Sequence, residues 1–496
     1  MIEVGKVRIT RTGRAWGKLS VKSTGGLTRI KSGCSLLPCG WSLAFSTWTP
    51  AIGRVGLGIP FPRRGQRALP PAQADGGGPD LALLSESLHM HNDVVCGFFG
   101  AGLVLVGCLT ATPTSAQSSK EWNQCVGKEK VTVDRLIAGC SSVIRSGGGT
   151  PETLALAFVG RGSALVTKGD VDGAIQDYGQ ALSLNPNNFL AFNNRGFAYA
   201  GKGNFERAIQ DYDQALLLNP NAALTLYNRG FALAAEGEFD HAIEDYDRAI
   251  GLNANFSQAF LNRGFAYAVK GDFDRAIADY DQAIRLNPDV AIAYYNRGVA
   301  RARKSDLVRA IQDYDEAIHR DPNYVWAYYG RGEAYANKRD FAHAISDYDQ
   351  TIRLDPWNAK ALNDRGFAYA SKGDFEVAIR DYGQAIRLDP NYANAFYNRG
   401  SAYAEQRQFE RAISDYDQAI RLAPDFAPAF VNRGFVYGTK GNYERAIEDF
   451  NRAITLAPNS ADALLNRGIT KLKKGDYIGG RADIAQAKLM KPDIDD

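Results

Sequence analysis

Ten Arg-Gly pairs stand 34 residues apart, from Arg161-Gly162 to Arg467-Gly468, with no insertion or deletion between them. A strict period of that length marks a stacked array, in which one small unit lies against the next copy of itself. Each unit is too small to bury its apolar face alone, so the neighbours supply the core and stability becomes a sum of repeat and interface terms. A globular enzyme core does not produce such a period. We number the repeats 1 to 10 by these pairs.

Repeat 2 shows what the unit is made of. Phe192, Gly196 and Tyr199 are spaced four and three apart, one face of a helix. Ala208, Tyr212 and Ala215 repeat that spacing on a second helix. Gly203-Asn204 breaks the first helix, and Pro220 ends the second because it cannot donate to the helix ladder. Gly196 and Ala208 are small where two antiparallel helices must approach closely, with Tyr212 filling the space beside them. Taken together, Phe192, Arg195-Gly196, Tyr199, Ala208, Tyr212, Ala215 and Pro220 resemble the tetratricopeptide repeat, and the resemblance runs from Pro151 to Pro492. It implies an all-α, right-handed superhelical solenoid of antiparallel helix pairs that binds proteins or peptides and carries no cofactor. The last copy departs from the pattern: Lys471, Gly480 and Ile484 replace Tyr, Ala and Tyr, and Lys473, Lys474, Lys488 and Lys491 follow. It reads as a polar terminal cap.

The first 150 residues differ in kind. Residues 1–89 hold twelve Lys or Arg against four Asp or Glu and show no sustained period. They read as a basic arm for nucleic acid or anionic lipid, or as an extension upstream of a true start at Met90. From Met90 an uncharged apolar stretch, Val94 to Leu109, leads to Thr114-Ser115-Ala116-Gln117, which looks like a signal peptide cut after Ala116. Its start lacks the usual positive charge. Leu105-Val106-Gly107-Cys108 also resembles a lipoprotein box that would acylate Cys108, and 94–109 could instead anchor the chain in a membrane, though it is short for a span. Every version puts the repeats outside the cytoplasm.

Cys125 and Cys140 are the only cysteines after the proposed cut. In an exported chain a single remaining pair suggests a disulfide, and 117–150 reads as an incomplete helix pair capping the array. The alternative is two inert buried thiols. Removing residues 1–116 turns the net charge from +3 to 46 − 50 = −4, a poor balance for binding nucleic acid.

No catalytic set is present among the residue patterns. The five histidines fall at unrelated repeat offsets, and no phosphate-cradling glycine loop occurs. Asp211-Tyr212-Asp213 and its copies superficially resemble a calcium loop, but they lie in a helix without the turn glycine or closing glutamate. We expect no metal and no enzyme.

Three recurring offsets remain. Arg195, Arg229, Arg263 and Arg297 stand where the family prefers leucine, and every copy has an aspartate on its second helix, among them Asp211, Asp245, Asp279 and Asp313. We expect structural ion pairs with bidentate geometry, the rival being ten arginines offered to an acidic ligand. For Arg297 the sequence leaves Asp313 and Asp279 both open, with a lean to Asp279. Asn194, Asn228, Asn262, Asn296, Asn398, Asn432 and Asn466 share one offset, which in tetratricopeptide arrays lines the concave groove. An amide donates and accepts, so it suits a peptide main chain of any sequence. The alternative is hydrogen bonding within the array.

Aromatic residues Tyr227, Tyr295, Trp326, Tyr329 and Tyr397 stand beside that row, with Phe197, Phe231, Phe265, Phe367 and Phe435 one turn on. They read as groove walls, the phenylalanines equally as core. Gly330 replaces the asparagine beside Trp326 and Tyr329, a gap that could admit a bulky side chain. The basic clamp that chaperone-binding members use is missing apart from Lys360. The resulting expectation is a non-catalytic scaffold binding an extended, largely uncharged peptide. The alternative is an envelope assembly or structural protein anchored through 94–109 or Cys108.

Overall fold

The computed structural model describes residues 120–126, 131–147 and 149–491, and the expectations for residues 1–119, Cys108 and the cut after Ala116 among them, lie outside the described residues. The described residues form twenty-two helices and no strand. None of these helices is long and apolar enough to cross a membrane.

Local chemistry sets the helix ends. In repeat 2 the first helix, Phe189–Gly201, begins where Asn188 accepts a hydrogen bond from the backbone N–H of Ala191. It ends in a left-handed turn at Gly203, φ 73°. Asn204 does more than break the helix: its side chain accepts from the N–H of Arg207 and starts the second helix, Phe205–Leu218. That helix stops one residue before Asn219-Pro220. Repeats 5, 6 and 8 make the same turn with Ser305, Arg339 and Arg407, at φ 62°, 60° and 57°.

The two helices close on a glycine–tyrosine contact. A Cβ on Gly196 would lie 2.9 Å from the Tyr212 ring, and Tyr212 is fully buried. The same contact recurs from Gly162–Tyr178 to Gly400–Tyr416, with Phe450 and Ile484 taking over in the last two repeats. Each second helix then packs on the first helix of the following repeat. First helices of successive repeats also touch at all nine junctions, and no second helix pairs with the next in this way. The first helices therefore share one face of the stack, here called the inner face.

At the N-terminal end, helices Lys120–Cys125 and Val133–Ser146 are joined by a disulfide between Cys125 and Cys140. Trp122, Val143 and both cysteines bury against Ala157 of repeat 1. The C-terminal end corrects the expectation of a purely polar cap. Lys471 is tied to Asp483 at 2.9 Å and Lys474 to Glu444 at 3.1 Å, while the last helix, Tyr477–Met490, leaves Ile478 88% and Leu489 84% exposed.

Candidate functional site

The arginine of each repeat reaches the aspartate sixteen residues ahead, on the second helix of its own repeat. Arg195 donates through Nε and Nη2 to both carboxylate oxygens of Asp211, at 2.8 and 2.7 Å. Arg229 with Asp245, Arg263 with Asp279 and Arg297 with Asp313 follow suit. For Arg297 the lean to Asp279 is therefore corrected: Asp279 belongs to Arg263. What Arg297 takes from the preceding repeat is Asp281, through Nη1 at 2.5 Å. The guanidinium also lies over the Tyr294 ring, 5.5 Å from its centroid. The reason is reach: a planar fork has a third N–H direction after its bidentate pair is made.

This second contact gives the Asp-Tyr-Asp motif a structural use. Its first aspartate pairs within the repeat; its second takes the next repeat's arginine, as in Arg229 with Asp213 at 2.6 Å. Asn451 serves Arg467 in the same way. Gly179 and Gly383 occupy that offset before Arg195 and Arg399, whose Nη1 groups have no such partner. The inner aspartates are buried, and desolvation pushes the carboxyls of Asp211, Asp279 and Asp313 up from their usual value even with a guanidinium attached. Burial thus outweighs the attached guanidinium at these carboxyls, and removing that partner leaves the burial unopposed.

The asparagine row is mostly turned to the array itself. Asn194, Asn228, Asn262 and Asn296 are buried, and Asn398, Asn432 and Asn466 half-buried. Asn262 donates to the hydroxyl of Tyr227 and Asn432 to that of Tyr397, each 35 residues back and both at 3.1 Å. Asn398 donates to Asn363, Asn194 to Ser163, and Asn466 to the carbonyl of Asp462. Asn228 keeps an unsatisfied Nδ2, because the residue 35 back is Asn193, whose Oδ1 is taken by Thr225.

The aromatic set divides. Tyr295 and Tyr329 are buried in core clusters, and Tyr227 and Tyr397 are half-buried, so these rings are walls of the core before they are walls of a groove. Trp326 is half-buried and packs edge-on to Tyr329. Phe265 is buried, whereas Phe367 and Phe435 are 50% and 56% exposed on the inner face. At Gly330 the Tyr314 ring lies 3.0 Å from where a Cβ would sit, and Gly330 itself lines the cavity described below.

Repeats 5 to 7 depart from the regular inner face at Val299, Gly330, Glu333 and Asp364. Asp364 replaces the asparagine, and Glu333 replaces the phenylalanine. The Tyr329 hydroxyl meets both, Asp364 at a short hydrogen bond and Glu333 at 3.1 Å. In the regular junction the amide donates to tyrosine; here a carboxylate can only accept, so the tyrosine must donate. Burial, with Asp364 beside it, pushes the Glu333 carboxyl up to about 7 against the opposing pull of Lys360 and Arg303. Next to it lies a cavity of about 280 Å³ between repeats 4, 5 and 6, with Phe265, Asn296, Val299, Arg303 and Glu333 among its lining. Of these, Val299, Arg303 and Glu333 carried no weight in the sequence; the signal available was departure from the repeat at a fixed offset.

Models described as tetratricopeptide repeat match residues 189–222, 223–256, 261–325, 329–379 and 399–465, and one described as TPR repeat matches 162–203 and 368–407. No curated protein sequence matches the chain. Among solved structures, YrrB, "a TPR protein with an unusual peptide-binding site", is 28% identical with a TM-score of 0.33, covering 37% of this chain and 95% of its own. MamA is 30% identical with a TM-score of 0.32, covering 32% and 94%. A repeat protein from Parabacteroides merdae is 20% identical with a TM-score of 0.39, covering 47% and 93%.

Proposed function

We propose, for a chain that belongs to the tetratricopeptide repeat family and is in general terms a protein-interaction scaffold, that the inner face holds an extended, largely uncharged segment of a partner protein. The observation that carries this reading is the row formed by the first helices. Phe367 and Phe435 stand half in water there, in line with the cavity at Asn296 and Glu333. Phe367 packs edge-on to Phe341 of the preceding repeat, and what the two rings still leave in water is apolar surface of the kind that marks an interaction site. The arginines are taken up by aspartates, which speaks against ten cations offered to an acidic ligand. The array works by holding and does no chemistry.

The test is selection of random twelve-residue peptides on the full chain, followed by affinity measurement. Trp326→Ala should weaken the recovered peptides at least about tenfold, about 1.4 kcal/mol, with helicity unchanged. Binding that vanishes at moderate salt and ignores Trp326→Ala would place recognition on a charged outer surface instead.

The array also reads as exported. The 94–109 segment, the small residues up to Ala116 and the Cys125–Cys140 disulfide support this. Mass spectrometry of the mature N-terminus tests it: Gln117 means soluble export, acylated Cys108 a lipid anchor, and an intact Met1 overturns the cut.

A further inference from the structure

The cavity between repeats 4, 5 and 6 is made by departures from the repeat. Val299 stands where Phe197, Phe231 and Phe265 recur, and its smaller side chain leaves the space open. Arg303 takes the offset of Gly201, Ala235 and Val269, and Glu333 that of the phenylalanines. So one opening residue and two charged ones, of opposite sign, fall on a single cavity.

Asn296 supplies an independent observation. At two other junctions, Asn262 with Tyr227 and Asn432 with Tyr397, this amide donates to a tyrosine hydroxyl 35 residues back. For Asn296 that residue is Leu261, which has no hydroxyl. The asparagine is 7% exposed, lines the cavity and makes no hydrogen bond among the described residues. An amide so placed has its donor and acceptor open to the cavity. Arg303 likewise makes no ion pair among the described residues and lines the same wall.

The chemistry of an occupant follows by elimination. A lysine or arginine side chain entering here would meet Arg303 as well as Glu333, and an acidic one Glu333 as well as Arg303, so either would be desolvated with a like charge beside its partner. A wholly apolar side chain would strip water from Asn296, Arg303 and Glu333 and give nothing back. A neutral group that both donates and accepts satisfies all three.

We propose that this cavity binds the primary carboxamide of a glutamine or asparagine side chain on the extended segment held by the inner face. The carboxamide oxygen accepts from Arg303 and from the Asn296 amide, and its NH2 donates to the Glu333 carboxyl. Phe265 and Val299 cover the aliphatic stem. The inference rests on the groove reading and specifies what that groove selects.

Selection from the random twelve-residue library on the full chain is compared with selection on Glu333→Phe and Arg303→Ala. Both substitutions restore residues that these offsets carry in other repeats, so they preserve the fold. Val299→Phe, which fills the cavity, is the third variant. The wild-type chain should enrich peptides with glutamine or asparagine at one fixed position. In a synthetic copy, replacing that residue by Leu, Glu or Lys should weaken binding about tenfold, and the variants should lose the preference while still binding through apolar positions. Enrichment of a charged or apolar residue at that position, or a carboxamide preference unchanged in all three variants, overturns the inference and leaves the groove reading standing. No enriched peptide at all overturns both.

Discussion

The ion-pair ladder and the inner face of the same helices follow opposite rules. On the ladder every repeat keeps its arginine and its first aspartate, and the distances barely change from Arg161–Asp177 to Arg467–Asp483. On the inner face Ser163 and Ser401 also depart, and repeats 5 to 7 depart most, with Val299, Gly330, Glu333 and Asp364 replacing the regular residues within one stretch of 66 residues, counted inclusively from 299 to 364. The difference separates two jobs. A residue that must fit the copy before and the copy after is fixed by both neighbours, whereas a residue facing outward from the stack is free to change where a ligand is met.

Breaking the ladder should give the largest effect. Arg297→Ala takes the bidentate pair from Asp313, almost wholly buried, leaves it a single bond to Arg301 at 2.7 Å, and should cost about 3 kcal/mol, two charge-assisted hydrogen bonds at about 1.5 each. Arg303→Ala, six residues on but on the inner face, should stay within about 0.5 kcal/mol. Urea unfolding, with hydrogen exchange to localise the loss to repeats 4 to 6, distinguishes them; equal effects would dissolve the contrast. At the ladder's start, Arg161 reaches Ser141 of the cap, so the cap is continuous with it. Replacing Cys125 and Cys140 by serine opens a 15-residue loop and should cost about 3 kcal/mol, felt mainly as faster exchange in repeat 1. Two reactive thiols in the denatured, unreduced protein would show there was no bond to lose.

The inner face should answer to pH near neutrality. Glu333 titrates at about 7 in the fold and near its ordinary value of 4.5 unfolded. The folded chain therefore holds the extra proton between those values, and stability contributed by this group is present below pH 4.5 and lost as pH rises towards 7. Glu333→Gln should accordingly stabilise the array by on the order of 1 kcal/mol at pH 8 and by almost nothing at pH 4. Tyr329, Asp364, Lys360 and Arg303 face the same carboxyl, and a flat difference across pH would assign the shift to them. The smallest effect is a repair: Gly383→Asp supplies the missing contact to Arg399, whose Nη1 lies 3.7 Å from where the Cβ would be. A gain of about 0.5 kcal/mol, seen as slower exchange at the repeat 7–8 junction, is expected.

The repeat unit, the helix boundaries and the glycine–tyrosine contact were all legible, because each rests on spacing within some twenty residues. The partner of Arg297 was not, since Asp313 and Asp279 are both sixteen to eighteen residues away and only the stacking decides. The second aspartate of Asp-Tyr-Asp was visible in register but reads as idle until the following arginine is laid over it. The asparagine row misled for the same reason: Tyr227 and Asn262 meet across a junction that no pattern inside one repeat displays. Gly330 drew attention as a gap and does line the cavity, with Tyr314 close against it, while the quieter change from phenylalanine to valine at 299 in the same wall went unremarked.

The doubled use of each arginine also bears on how such a chain changes length. Cutting out residues 223–256 as a block would bring Arg263 to Asp213, a carboxylate of the same kind in the same place as Asp247. The seam heals because every unit ends with what the next unit needs. Whole-repeat gain or loss by unequal recombination is therefore nearly neutral through repeats 2 to 4, and a chain shortened there should still fold. Removing residues 325–358 instead takes Glu333 from beside Arg303 and parts Tyr329 from Asp364. Heredity can count freely along the ladder, but repeats 5 to 7 have to travel together.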